Sequence, residues 1–212
     1  MAGMRDYTDE ELALVRKSFG GTFALRDRCL FELALQTGLR VSELLSITVG
    51  QVYQYGKVAE ELAIERKHMK GGKAGKASGR TLPIFAPTRP HLLAWLERLA
   101  AMLKVQDVKD IPPETPLSMS RVHHKDGSRR AIARETAWRI VKAIARENEL
   151  PGAVGTHSTR KTLARKAMQW SKDIRVVQRL LGHKSLQSTE AYLKSLTDRE
   201  VWSGFQAAMS AA

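Results

Sequence analysis

The chain has 212 residues, enough for one sizeable core or one core with a small appendage, and 43% hydrophobic residues place it among globular rather than disordered proteins. Its 35 Lys and Arg against 22 Asp and Glu leave a formal net charge of +13, which favours a polyanionic partner: DNA, RNA or an anionic membrane surface. No apolar run reaches the roughly 18 to 20 residues of a membrane span, and MAGMRDYTDEEL lacks a secretory apolar segment, so the membrane falls behind nucleic acid and a cytoplasmic protein is expected.

In YTDEELALVRKSF, Thr8 followed by Glu11 has the form of a capping box opening a first helix. A nearly all-apolar helix follows from about Thr22 to Gln36, with Gly38 as its C-terminal stop. It contains Cys29, the single cysteine, which cannot form an internal disulfide and reads as a small core hydrophobe. After the short helix VSELLSI, strand character appears around Gly50 to Tyr55, Glu61 to Arg66 and Arg80 to Phe85. Between the last two, KHMKGGKAGKASGR is too polar and glycine-rich to pack and is expected to be a long hairpin turn. Helical patterns then cover about Thr88 to Leu103, Ala133 to Asn148, Thr159 to Trp170, Ile174 to Leu181, Leu186 to Lys194 and Asp198 to Met209. DVKDIPPETP and SRVHHKDGSRR are expected to be loops. The fold class is therefore mainly α with a small three-stranded antiparallel β-sheet, an α+β chain.

Four places offer groups that suit a phosphate: TGLRVSEL with Arg40, the hairpin with Lys70, THSTRKTLA with His157 and Arg160, and LGHKS with His183. Tyr192 follows in LLGHKSLQSTEAYL. A phosphodiester repels nucleophiles, so displacement at phosphorus needs cationic donors where charge builds up in the transition state. Arginine suits this, with a planar fork that donates parallel hydrogen bonds and keeps its charge. The H-x-x-R spacing puts His157 and Arg160 on one face of one helical turn. Such a histidine exchanges a proton near neutral pH, and a tyrosine, with a pKa of about 10, needs a base or a strongly positive site before it attacks.

Each group alone has a plainer reading. Arg40 can be a surface partner of Glu43 one turn away, H-x-x-R a solvated helix face, and the hairpin lysines a soluble loop. His183 can sit favourably at a helix C-terminus, and Tyr192 can be core. Order and spacing together change the balance.

In that order the chain resembles the tyrosine recombinases, or phage integrases. TGLRVSELLSIT looks like the family's first arginine motif; a lysine in a β-hairpin turn, the H-x-x-R of GTHSTRKTLA, the histidine after LLG and the tyrosine near the end follow in sequence. The likeness spans roughly Thr8 to Leu193, and five ordered elements make it far more specific than any one.

The resemblance implies the tyrosine recombinase catalytic-domain fold over residues 1–212 and a catalytic set of Arg40, Lys70, His157, Arg160, His183 and Tyr192. Arg40 and Arg160 would hold the non-bridging oxygens, His157 would exchange the tyrosine's proton, His183 would contact the scissile phosphate and Lys70 would protonate the leaving 5′ oxygen. Lys67, Lys73 and Lys76 compete with Lys70 and otherwise read as DNA contacts, as does Lys161, where the family often has a histidine. Glu43 would steady the site from behind.

The implied reaction is metal-independent transesterification through a 3′-phosphotyrosyl link, with no cofactor, since the bond energy stays in the covalent intermediate. The expected partners are double-stranded DNA, further copies of the chain in a tetrameric synapse, and DNA-bending accessory proteins. Residues 195–212 would form a helical tail, with Val201, Trp202, Phe205 and Met209 on one face, packing at home or docking on a neighbour. Similar proteins commonly carry an N-terminal DNA-clamping domain; here it is expected to be absent, as in a naturally short recombinase of the fimbrial phase-variation type or in a catalytic fragment. A type IB topoisomerase or telomere resolvase shares the chemistry, and a basic DNA-binding module without catalysis shares the charge. A P-loop fails, because Lys70 and Ala77 stand where it needs Gly and Ser or Thr, and His123, His124 and one cysteine make no zinc site.

Overall fold

The computed structural model describes residues 4–65, 67, 79–123 and 128–193. Helix α1 (Asp9–Lys17) begins where the capping box places it: Thr8 Oγ1 accepts from the Glu11 amide at 3.2 Å, and the Glu11 carboxylate accepts from the Thr8 amide at 2.9 Å. Its apolar face carries Leu12 and Val15 into a core cluster with Tyr7, Phe31, Ile144 and Val154.

Helix α2 (Ala24–Thr37) is packed against more than one other helix, so that even its Arg26 and Glu32 are buried, each held in an ion pair. It ends at Gly38, whose φ of 60° is left-handed. A Cβ there would lie 2.7 Å from Leu163 Cδ2, so the stop needs glycine both for its backbone and for its clearance. The chain then turns into α3 (Val41–Leu45) and α4 (Val49–Val52).

The β structure departs from the three-stranded expectation. Among the described residues it consists of three two-stranded antiparallel pairs, of which the first two are β1 (Tyr53–Gln54) with β2 (Lys57–Val58), and β3 (Glu61–Ile64) with β4 (Arg80–Pro83). Residues 50–52, read as strand, are helical, because Thr48 and Gln51 form a capping box that starts α4. Tyr55 and Gly56, both at positive φ, then close a tight turn of their own. In the β3–β4 ladder Leu62 faces Leu82 and both are buried, while Glu61 and Pro83 face outward, which fixes the register. This hairpin brackets the lysine-rich connection.

Helix α5 (Arg89–Leu103) buries Leu92, Trp95, Leu96 and Leu99 completely, and Trp95 Nε1 donates to the Leu117 carbonyl at 2.7 Å. SRVHHKDGSRR, expected to be a loop, is strand at both its ends: β5 (Met119–His123) pairs antiparallel with β6 (Arg129–Ala131). Tertiary position supplies what composition does not, since Met119 is fully buried, the neighbouring Ile132 is buried, and the Ile132 amide donates to the Ser118 carbonyl at 2.8 Å.

The C-terminal half is helical: α6 (Arg134–Glu147), α7 (Ser158–Ser171), α8 (Ile174–Leu181) and α9 (Leu186–Leu193). Ala164, Ala167, Val177 and Leu181 form a small core that joins α7 to α8, with Tyr192 and Leu193 of α9 packed against it. The N-terminal segment is strapped to α7: the Tyr7 amide donates to Thr162 Oγ1 at 2.9 Å and Arg165 Nη2 donates to the Tyr7 carbonyl at 2.8 Å. The helical tail expected over 195–212 lies outside the described residues.

Candidate active site

Arg40 is the residue before α3, in extended backbone conformation two residues after the Gly38 stop. Its amide donates to Glu43 Oε2 at 2.8 Å and its Nη1 donates to Glu43 Oε1 at 2.9 Å. Glu43 is almost wholly buried whereas the Arg40 side chain is partly open. The carboxylate therefore grips the arginine from inside while the outer edge of the guanidinium remains available. The sequence reading of Arg40 as a partner of Glu43 and its reading as a phosphate ligand are thus compatible.

Arg160, in the first turn of α7, is 2% exposed. Its Nη1 donates to the Gly38 carbonyl and its Nη2 to the Leu181 carbonyl, so one buried guanidinium ties the end of α2 to the end of α8. Burial, and then the charge of Arg40, lower its pKa to about 10, which leaves it charged at neutral pH.

His157 immediately precedes α7 at the rim of the site. The protein crowding it, and the charges of Arg160, Arg40 and Lys161, hold its pKa below the ordinary histidine value. His183 follows Gly182, the left-handed residue that ends α8 (φ 62°). Its amide donates to the Gln178 carbonyl at 3.1 Å, and its Nδ1 lies 3.1 Å from Oγ1 of Thr189, a fully buried residue of α9. Lost hydration, then Arg160, Arg40 and Arg80, push the His183 pKa down to about 4, so its ring is neutral at physiological pH.

Tyr192 comes from α9 into the middle of this group. Its hydroxyl lies 3.4 Å from His157 Nδ1, and its ring meets the His183 ring edge-on at a centroid distance of 5.3 Å. The Arg160 guanidinium carbon is 5.8 Å and the Lys161 ammonium 5.7 Å from the ring centre. Burial raises the phenol pKa, and Arg160 and Arg40 oppose that rise without reversing it. The phenol is therefore protonated at rest, beside a neutral imidazole able to accept its proton.

The structure thus brings together Arg40, Glu43, His157, Arg160, Lys161, His183 and Tyr192. Lys67 sits in the open just after β3, ion-paired with Glu65 at 2.7 Å. Lys70, Lys73 and Lys76 lie outside the described residues. Two neighbours were not read from the sequence. Thr189 looks like any polar residue of a short helix, and only the turn between α8 and α9 sets it against His183. Arg80 ends a lysine-rich run that gives no sign of its direction, yet its Nη2 donates to the Leu180 carbonyl.

The chain is similar to known proteins over most of its length. The family model described as "Phage integrase family" matches residues 7–199. Tyrosine recombinase XerD of Mycobacterium leprae (strain TN) is 30% identical over 203 residues, covering 92% of this chain and 58% of that protein. Tyrosine recombinase XerA of Pyrococcus furiosus is 29% identical over 172 residues, 80% of this chain and 50% of that one. The chain thus spans about half the length of the curated relatives it matches. Among solved structures, XerA recombinase superposes with a TM-score of 0.67 at 17% identity, covering 98% of this chain and 66% of that one. XerH site-specific recombinase in a post-cleavage complex with difH superposes with a TM-score of 0.66 at 20% identity, over 94% of this chain and 52% of that one. With a family match running nearly from end to end over the helices that carry its arginines, histidines and tyrosine, the chain belongs to the phage integrase family.

Proposed function

We propose that the chain is the catalytic domain of a tyrosine-type site-specific DNA recombinase, which cuts and rejoins DNA strands through a 3′-phosphotyrosyl intermediate. The observation that carries this reading is Tyr192, with its hydroxyl 3.4 Å from His157 Nδ1 and its ring beside Arg160 and His183. Its similarity to tyrosine recombinases, and similar folds solved on DNA before and after cleavage, support it.

A scissile phosphate enters between Arg40 and Arg160, whose charges offset the negative charge that accumulates on its non-bridging oxygens. Arg160 spends two N–H groups on the Gly38 and Leu181 carbonyls and turns the rest to the phosphate. In this reading Thr189, 3.1 Å from Nδ1, is the donor, so neutral His183 carries its proton on Nε2 and hydrogen-bonds a phosphate oxygen through that N–H. His157 takes the phenolic proton as the Tyr192 oxygen attacks phosphorus. The bond from phosphorus to the 5′ oxygen breaks, and that oxygen leaves as a hydroxyl after taking a proton from a hairpin lysine, with Lys70 the first candidate. Attack by a 5′ hydroxyl of a second strand on the phosphotyrosine reverses the sequence and restores Tyr192.

Strand exchange requires two sites, and we assign the active assembly as a tetramer on DNA; a similar fold, lambda integrase, has been solved as a dimer bound to a core site. The +13 charge supplies a nonspecific, salt-sensitive component of DNA affinity.

Covalent trapping tests the reading. The protein and its Tyr192→Phe variant are incubated with nicked duplexes carrying candidate sites from the gene's own neighbourhood, then denatured. An adduct with the unaltered chain only is expected. Binding without an adduct on every site would favour a DNA-binding module that does not cut.

A further inference from the structure

Arg80 opens β4 where the chain returns from the lysine-rich connection, and none of the recognised motifs includes it. Its Nη2 donates to the Leu180 carbonyl and lies 3.4 Å from the Arg179 carbonyl. These oxygens belong to the last turn of α8, where helical amides run out and the helix dipole is negative. Arg160 takes the next carbonyl, that of Leu181, from the side of α7. A Cβ on Gly182 would sit 3.0 Å from Arg80 Nη1, so the guanidinium lies directly over the turn that leads into His183.

The bonds of His183 itself are internal to the α8–α9 unit: its amide to Gln178, its carbonyl accepting from Gln178 Nε2 at 3.1 Å, its ring to Thr189. They shape the turn but do not place it. Arg80 fastens that turn to the hairpin, and Arg160 fastens it to the end of α2. We infer that Arg80 is a positioning residue, which clamps the C-terminal turn of α8 to the β3–β4 hairpin and so fixes where His183 stands beside Tyr192. Arg80 touches no reacting atom in this role; its guanidinium is turned to backbone carbonyls. The catalytic consequence rests on the recombinase reading, whereas the clamp itself does not.

Arg80→Ala and Arg80→Lys are compared with the unaltered chain in two measurements. The first is amide hydrogen exchange without DNA. Arg80→Ala is expected to speed exchange of the Gly182 and His183 amides by about tenfold or more, leaving α2 and α5 unchanged, and Arg80→Lys, with one donor point, to fall between. Unchanged exchange at Gly182 and His183, or equal acceleration throughout the core, would overturn the clamp whatever the activity. The second is single-turnover cleavage of a nicked duplex. Arg80→Ala is expected to slow cleavage by about 10- to 100-fold with Kd changed less than about threefold, and Arg80→Ala combined with His183→Ala to be no slower than His183→Ala alone. Losses that multiply, or a rise in Kd that accounts for the slower cleavage, would instead make Arg80 a direct DNA contact. If the unaltered chain forms no adduct, the recombinase reading fails while the exchange measurement still decides the clamp.

Discussion

Tyr192 and His157, separated by 35 residues, meet with the phenol oxygen 3.4 Å from Nδ1. The phenol pKa is raised and the imidazole pKa lowered, so at neutral pH the donor holds its proton and the acceptor is empty. The cleavage rate should therefore be flat near pH 7 and fall only on the acid side of the ordinary histidine value of about 6.5, as His157 protonates. A single-turnover pH profile checks this. His157→Ala should lower the plateau by roughly 10²- to 10⁴-fold and remove that limb. An acid limb centred above pH 7, or one that survives in His157→Ala, would assign the base elsewhere.

Arg160 serves the phosphate and the fold at once. Arg160→Ala should cost cleavage by about 10²- to 10³-fold and also destabilise the chain, since the Gly38 and Leu181 carbonyls lose their donor. Arg160→Lys should recover part of the stability but little cleavage, because an ammonium cannot span both carbonyls and a phosphate. Equal recovery of both would contradict the bridging geometry.

Glu43 is buried and holds Arg40 by amide and guanidinium. Glu43→Gln keeps the shape but loses one of the two bonds, because its amide NH2 donates and cannot accept, and about 1 to 3 kcal/mol of stability should be lost in urea unfolding. Cleavage should fall with DNA affinity nearly unchanged, since the chain's other cations still attract the duplex. A variant that binds poorly but cleaves normally once bound would place Glu43 on the DNA surface instead.

His183 titrates near 4 in the folded chain against about 6.5 when unfolded. The folded state disfavours its protonated form, so this contribution to stability is complete above about pH 6.5 and is lost as pH falls towards 4. Thermal midpoints measured from pH 7 to 4 should drop, and His183→Gln should flatten part of that drop. An identical pH dependence in the two proteins would show that other groups carry it.

Gly38→Ala should destabilise the chain by about 1 to 3 kcal/mol, because it adds a Cβ at positive φ only 2.7 Å from Leu163. Gly20→Ala, with nothing within 4 Å of the added carbon, serves as the control and should lie within about 0.5 kcal/mol of the unaltered chain.

The sequence by itself determined the longer helices, though not the short α4, and the identity of the chemical groups. Local rules suffice for these: a capping box at Thr8 and Glu11, glycine stops at Gly38 and Gly182, and an apolar period that reproduces α8 residue for residue. Five motifs in fixed order were likewise legible, since order along the chain needs no folding. Only the tertiary structure decided the rest. Strand partners depend on which apolar rows are buried together, so the expected three-stranded sheet resolves into separate pairs and β5 and β6 emerge from a stretch read as loop. The poise of the site is also tertiary. Ionisation depends on burial and on charges brought from distant segments, which is why a neutral His183, a charged but buried Arg160 and a protonated Tyr192 could not be read from their neighbours in sequence. Arg80 and Thr189 were invisible for the same reason: each acts through a turn that reaches them only once α8 and α9 have folded back on the hairpin and on α7.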